Sequence, residues 1–190
     1  MQSVETAPTT RPATLPAAIG GITAYVVGYA VTYLWQSDAV GAALQSYNAV
    51  LALLGGDPIP TWTAVGWLFY NAHAVAFSTP AVGGSRLSRN LIIDGNAPLV
   101  LLLVPAGLLV VAGFIAGRHD GTPRADRGLR VGVRVTAGYA VAAVLGVALF
   151  RFTAGTATVH VEYALGVLVA GIGYPAVFGA AGGALAAVTR

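Results

Sequence analysis

The sequence predicts an all-α fold, a polytopic transmembrane helix bundle, and three observations carry that expectation. Hydrophobic residues make up 56% of the chain and charged residues 9%, with a mean hydropathy of +0.75. That is outside the balance of a soluble domain and too poor in charge for a disordered chain. Four uninterrupted apolar runs, at about residues 17–35, 98–116, 131–150 and 161–187, reach the roughly 20 residues a helix needs to cross a hydrocarbon core of about 30 Å. Five of the ten arginines fall between 118 and 134, the clustering of a membrane-side loop and not of a nucleic-acid groove. The runs do not alternate as barrel strands would, so helices are the expected way to satisfy their backbone in lipid. Residues 1–190 read as a single integral membrane domain.

In chain order, the first sixteen residues are polar and rich in Pro and Thr, with a single Arg11. No small-residue cleavage site follows the first apolar run, which therefore reads as a retained span and not as a signal peptide. Residues 39–54 place Val40, Leu44, Tyr47, Leu51 and Leu54 at steps of four and three, one apolar face on an interfacial amphipathic helix. "GGDPIPT" at 55–61 then breaks the chain. The stretch at 62–77 is at or below the lower limit for spanning, and Asn71 and His73 near its middle oppose insertion by a few kcal/mol. It reads as a marginal span or an interfacial helix. The run at 98–116 has no polar side chain and is expected to face lipid, bent by Pro105.

The segment "GRHDGTPRADRGLR" at 117–130 is a basic loop expected on the cytoplasmic side. Four crossings put Arg11 and Arg190 on that side too, leaving Arg86, Arg89 and Arg151 outside. A fifth crossing through 62–77 would move Arg11 outside and weaken the asymmetry. Four spans are preferred, both termini inside, with residues 36–97 as an external layer. Short internal similarities, Gly28-Tyr29-Ala30-Val31, Gly138-Tyr139-Ala140-Val141 and Gly173-Tyr174, are attributed to chance in a chain so rich in Gly, Ala and Val.

"AVGWLFYNAH", the preceding "GGDPIPTW" and the closing "YPAVFGAAGGALA" resemble a family of small uncharacterised multi-pass membrane proteins of salt-loving archaea, some of them labelled "transporter". The resemblance covers most of the chain and implies a cell-membrane, multi-pass protein. It brings no substrate, mechanism or functional residue with it.

Candidate pathway residues are His73, Tyr70, Asn71, Glu162, Gly171 and Pro175. An intramembrane histidine suits a proton relay or a substrate contact, while an aromatic belt of Trp62, Trp67 and Tyr70 at headgroup depth explains the same residues without one. On a helix, His73 and Asn71 point to nearly opposite sides. Glu162, at the start of the last span with His160 two residues before it, is expected to pair with Arg151 across the short loop. Arg127, Arg130 and Arg134 share one helix face and read as snorkelling to headgroups or as a gate. Gly171, Pro175, Gly179 and Gly183 recur every four residues, giving either close helix packing or a broken helix with exposed carbonyls. Gly20, Ala24 and Gly28, and Gly138, Ala142 and Gly146, form matching small-residue ridges.

With no cysteine and no lysine there is no disulfide, thiolate site, Walker lysine or Schiff base, and neither HExxH nor GxSxG occurs. An enzyme is not expected, nor a cofactor, a metal or a nucleic-acid partner. The expected partners are the lipid bilayer, a second copy of the chain and an unidentified small solute or ion. The function read is small-solute or ion transport, with a non-transporting assembly subunit docking through residues 36–97 as the alternative.

Overall fold

The structure, a computed structural model, describes residues 14–121 and 124–189. The expected topological roles of Arg11 and Arg190 lie outside the described residues. Four helices are long and apolar enough to cross a membrane by length and composition: Leu15–Leu53, Leu99–Asp120, Ala125–Leu149 and Tyr163–Val188.

The first is α1 (Thr14–Leu53), 40 residues and roughly 60 Å long. The expected division into a span and a separate interfacial helix is corrected: no Gly or Pro interrupts Trp35-Gln-Ser-Asp-Ala39, and buried Gln36 carries the helix through. The chain folds back over residues 54–60, where Asn48 makes a two-way clasp with Ile59, accepting from its N–H at 2.8 Å and donating to its carbonyl at 3.3 Å. Next comes α2 (Thr61–Asn71), buried throughout from Thr63 onward. At 11 residues it is too short to span, so a crossing at 62–77 is not what this segment makes.

The expectation of helices alone is also corrected. Strands β1 (Phe77–Pro80), β2 (Arg86–Arg89), β3 (Arg151–Ala154) and β4 (Ala157–Val161) form one antiparallel sheet in the order β2-β1-β4-β3. Phe77 pairs with Arg89 on one side and Val161 on the other, so the sheet joins two stretches far apart in sequence. Gly155 at φ 56° makes the β3–β4 turn that a side chain would strain.

A 3-10 turn (Leu99–Leu102) leads into α3 (Leu103–Asp120), capped by Gly121 in the left-handed region. The expected basic loop is largely helical, because α4 (Ala125–Val133) begins immediately and continues past Arg134 into α5 (Val135–Leu149). The last helix starts as α6 (Tyr163–Leu165), widens into a π-helical segment (Gly166–Gly173) and continues as α7 (Tyr174–Val188). Pro175 sits just beyond the wide turns, where a missing N–H and a bulky ring are tolerated.

Glycine contacts set the helix directions. A Cβ on Gly113 or Gly132 would collide with the Gly179 carbonyl, and one on Gly128 with that of Gly183. On Gly117 it would stand 3.0 Å from the Gly183 oxygen. So α7 lies between α3 and α4, parallel to α3 and antiparallel to α4. Further along, Gly171 meets Ala143 and Gly166 meets Val147, keeping the last helix antiparallel to α5. Between α1 and α5 the closest approach is Gly138 against Ala18 and Gly21 against Val135, after which Tyr29 stacks on Phe150 at 5.1 Å, so these two run the same way. The four long helices therefore alternate in direction along the chain, and α2, at 11 residues, is not one of them. Instead α2 enters the bundle from the sheet end and stops partway, its Tyr70 beside Ala143 near the middle of α5.

The second long helix, expected to face lipid, is exposed on one face only. Pro105, Leu109, Gly113 and Gly117 are buried along the α3 face turned to its neighbours, and Leu103, Val111 and Ile115 are exposed on the other. Pro105 follows the 3-10 turn near the start of α3, so it lies in the first turn and not mid-span.

A buried histidine and tyrosine cluster at the tip of the half-inserted helix

The sequence that ends α2 builds the site. After Asn71 the chain tightens into a turn in which Tyr70 O accepts from both His73 N at 2.9 Å and Val75 N at 3.1 Å. Ala74 takes φ 59°, the one left-handed non-glycine among the described residues, a conformation held by its surroundings at a cost of order 1 kcal/mol or more. This turn reverses the chain toward β1 and aims the His73 ring into the bundle.

His73 is fully buried, and both ring nitrogens are used. Phe69 O can only accept, so Nδ1–H donates to it at 2.8 Å, and Nε2 is left to accept from the Tyr139 hydroxyl at 2.6 Å. That pattern is the neutral imidazole with the proton on Nδ1. The ring is wedged between the edge of Phe69, 4.9 Å away, and Tyr174, 5.1 Å away. His73 thus ties the tip of α2 to α5 by a hydrogen bond and to α7 by ring contact.

Tyr70 makes a second link. Its hydroxyl donates to the Ala143 carbonyl on α5 and accepts from the Tyr25 hydroxyl of α1 at 3.1 Å. Gly146 makes room, since a Cβ there would overlap the Tyr25 oxygen. About one turn back along α2, Trp67 Nε1–H donates to Phe150 O at 2.9 Å, and Gly66 lies flat against the Phe150 ring.

Asn71 is fully buried on the opposite side, as the helical spacing predicts, and does not join His73. Its amide donates to Val75 O at 2.8 Å and to Arg89 O at 3.4 Å, while Oδ1 accepts from Leu91 N at 2.9 Å. Asn90 donates to its backbone carbonyl at 3.4 Å. Asn71 therefore pins the turn to the chain leaving β2.

Glu162 stands apart, at the sheet end. Its N–H donates to Ala76 O at 3.0 Å and its carboxylate accepts from Ser88 Oγ, so the expected Arg151 partner is replaced by a serine on β2. His160 instead stacks on Tyr163 at 4.2 Å. Gly171 and Pro175 are buried, and Gly171 faces Ala140 and Ala143 of α5. The broken-helix reading thus gives a wide turn packed against protein. Arg127 pairs with Asp120 at 3.4 Å and Arg124 with Asp126 at 3.3 Å. Among the described residues there is no group of three or more His, Cys, Asp or Glu that could hold a metal.

Of the residues expected to pack, Ala24, Gly28, Gly138, Gly146, Gly179 and Gly183 lie at close contacts, Gly28 against Phe69. Ala142 is half-buried at the edge of a groove between α1 and α5. Gly20 is a correction: nothing stands within 4 Å of a Cβ there, and the contact belongs to Gly21, one residue on. The sequence reading missed Tyr25, Tyr139 and Tyr174 as site residues. For Tyr139 and Tyr174 a signal was present in the repeated Gly-Tyr pairs, which put them on two sides of His73, whereas Tyr25 follows an alanine and carried none.

No curated protein and no solved structure matches the chain. A family model does, over residues 1–190, and on that match the chain belongs to a family of unknown function, DUF7978.

Proposed function

We propose that the chain is a multi-pass protein of the cell membrane, with its arginine-bearing end toward the cytoplasm, and that it serves small-solute or ion transport. The observation that carries the reading is the half-inserted helix α2, whose tip holds an ionisable residue, His73, inside the bundle. Ionisable groups at such depth cost several kcal/mol to bury and are as a rule functional. Transport folds place substrate sites where helices stop partway. His73 touches the fixed helices α5 and α7 through Tyr139 and Tyr174, so a shift of α2 would exchange these contacts for a solute or a proton. In the described arrangement each nitrogen of His73 is satisfied, which corresponds to a closed state.

Purified protein in liposomes, screened for proton, ion and small-solute flux, tests this. Flux above empty vesicles that falls in His73→Leu supports it, and flux equal to empty vesicles removes it.

A second reading, a non-transporting assembly subunit, is favoured by the far half of α1. Tyr47, Val50 and Leu53 are largely exposed there, and Asp38 is the one charge between residues 36 and 53. Crosslinking from Tyr47 and Leu53 in native membranes separates the readings. A stoichiometric second protein supports docking, and self-adducts alone oppose it.

A further inference from the structure

We infer that the groove between α1 and α3 is a binding site for one acyl chain of an anionic phospholipid, with the headgroup at the Leu15 and His119 end. The groove encloses about 730 Å³, within the range of ligand-sized cavities. Small residues floor it, Ala17, Gly20, Ala24 and Ala112 among them, and larger exposed ones, Val111 and Ile115, form its rim. Thr23 and His119 are its polar side chains, and His119 lies at one end.

Three features point to this occupant. From Leu15 to Val27 the groove runs roughly 18 Å along α1, close to half of a hydrocarbon core of about 30 Å, which is the depth one leaflet's chain fills. Gly20 leaves open space where Gly21 and Gly28 each meet a neighbouring helix, so among the described residues nothing fills the groove at that point. The groove opens beside His119 at the α3–α4 end of the bundle, and that end carries Arg118, Arg124, Arg127 and Arg130 against Asp120 and Asp126, a net positive charge complementary to an anionic headgroup. The inference rests on the bilayer placement proposed above and is independent of transport.

The test uses the full chain reconstituted in nanodiscs of equimolar phosphatidylcholine and phosphatidylglycerol, transferred to mild detergent and weighed intact by native mass spectrometry. One retained phosphatidylglycerol per chain is expected. Gly20→Leu, whose Cβ meets nothing within 4 Å and whose larger side chain extends into the groove, should lower its occupancy about tenfold at unchanged circular dichroism and melting temperature. Ile115→Trp on the opposite wall should lower it as well, which guards against a defect peculiar to one variant. No retained lipid, equal retention of phosphatidylcholine, or unchanged occupancy in both variants would overturn the inference, as would a lipid-free dimer that Gly20→Leu converts to monomer. Failure of the parent to enter nanodiscs at all would instead contradict the bilayer placement.

Discussion

The Tyr139 hydroxyl donates to Nε2 of His73 across 2.6 Å, and this bond fixes the tip of a short helix to a long one 66 residues further along the chain. Removing the donor strands a buried nitrogen that water does not reach. Tyr139→Phe should therefore lose about 1 to 3 kcal/mol of stability, read from reversible denaturation in detergent. Tyr33→Phe, a partly exposed tyrosine of α1, is the control and should change stability by less than about 0.5 kcal/mol.

Asn71 is used at both ends of its amide, as a donor to two carbonyls and an acceptor from Leu91 N–H. Asn71→Asp replaces the NH₂ with an oxygen aimed at the Val75 and Arg89 carbonyls, and buries a charge as well. It should destabilise by at least about 3 kcal/mol, more than Asn71→Ala, which removes partners without adding repulsion. A denaturation series that ranks Asn71→Ala as the worse variant would mean that the amide is not held in this turn.

The glycine seam is the next test. A Cβ on Gly132 would enter the Gly179 carbonyl, and one on Gly179 would come within 2.7 Å of the Gly132 oxygen. Even Gly132→Ala should lose about 1 to 3 kcal/mol, and Gly179→Leu should disturb assembly more severely, because close approach is the main attraction between helices in lipid. Arg130→Gln, on an exposed side chain of α4, should melt like the parent. Gly20→Ala should also be neutral, since its Cβ meets nothing. Detergent melting temperatures of these four variants check the seam, and parent-like melting of Gly179→Leu would contradict it.

How far the sequence foretold this arrangement varies by element. The four long helices were legible because apolar runs of about 20 residues have few other uses, and Gly179 and Gly183 because glycines at steps of four leave one helix face bare. Gly20 was misassigned for a phase reason: adjacent Gly20 and Gly21 fit the same composition, and only the approach of Val135 chooses between them. The sheet was hidden because its strands are four or five residues long, too short for alternation to register, and its two hairpins pair with each other across some 80 residues. The stretch at 62–77 carried an ambiguous signal, too apolar for a loop and too polar for a span, and a helix inserted halfway among other helices is the case that reconciles both. His73 was flagged as ionisable within apolar sequence, but its partner Tyr139 lies on another helix, and spacing along one helix does not reveal such a pair.

The central claim is that α2 enters the bundle and returns without crossing, so that the four long helices alternate. The chain has no cysteine of its own, which makes single-cysteine labelling clean. Asp57→Cys before α2, Ile93→Cys after β2 and Arg124→Cys between α3 and α4 all lie at exposed positions. In oriented membrane vesicles, labelling by a membrane-impermeant maleimide should place Cys substitutions at 57 and 93 on one side and that at 124 on the other. Labelling of 57 and 93 from opposite sides would show a crossing between them and contradict the half-inserted helix.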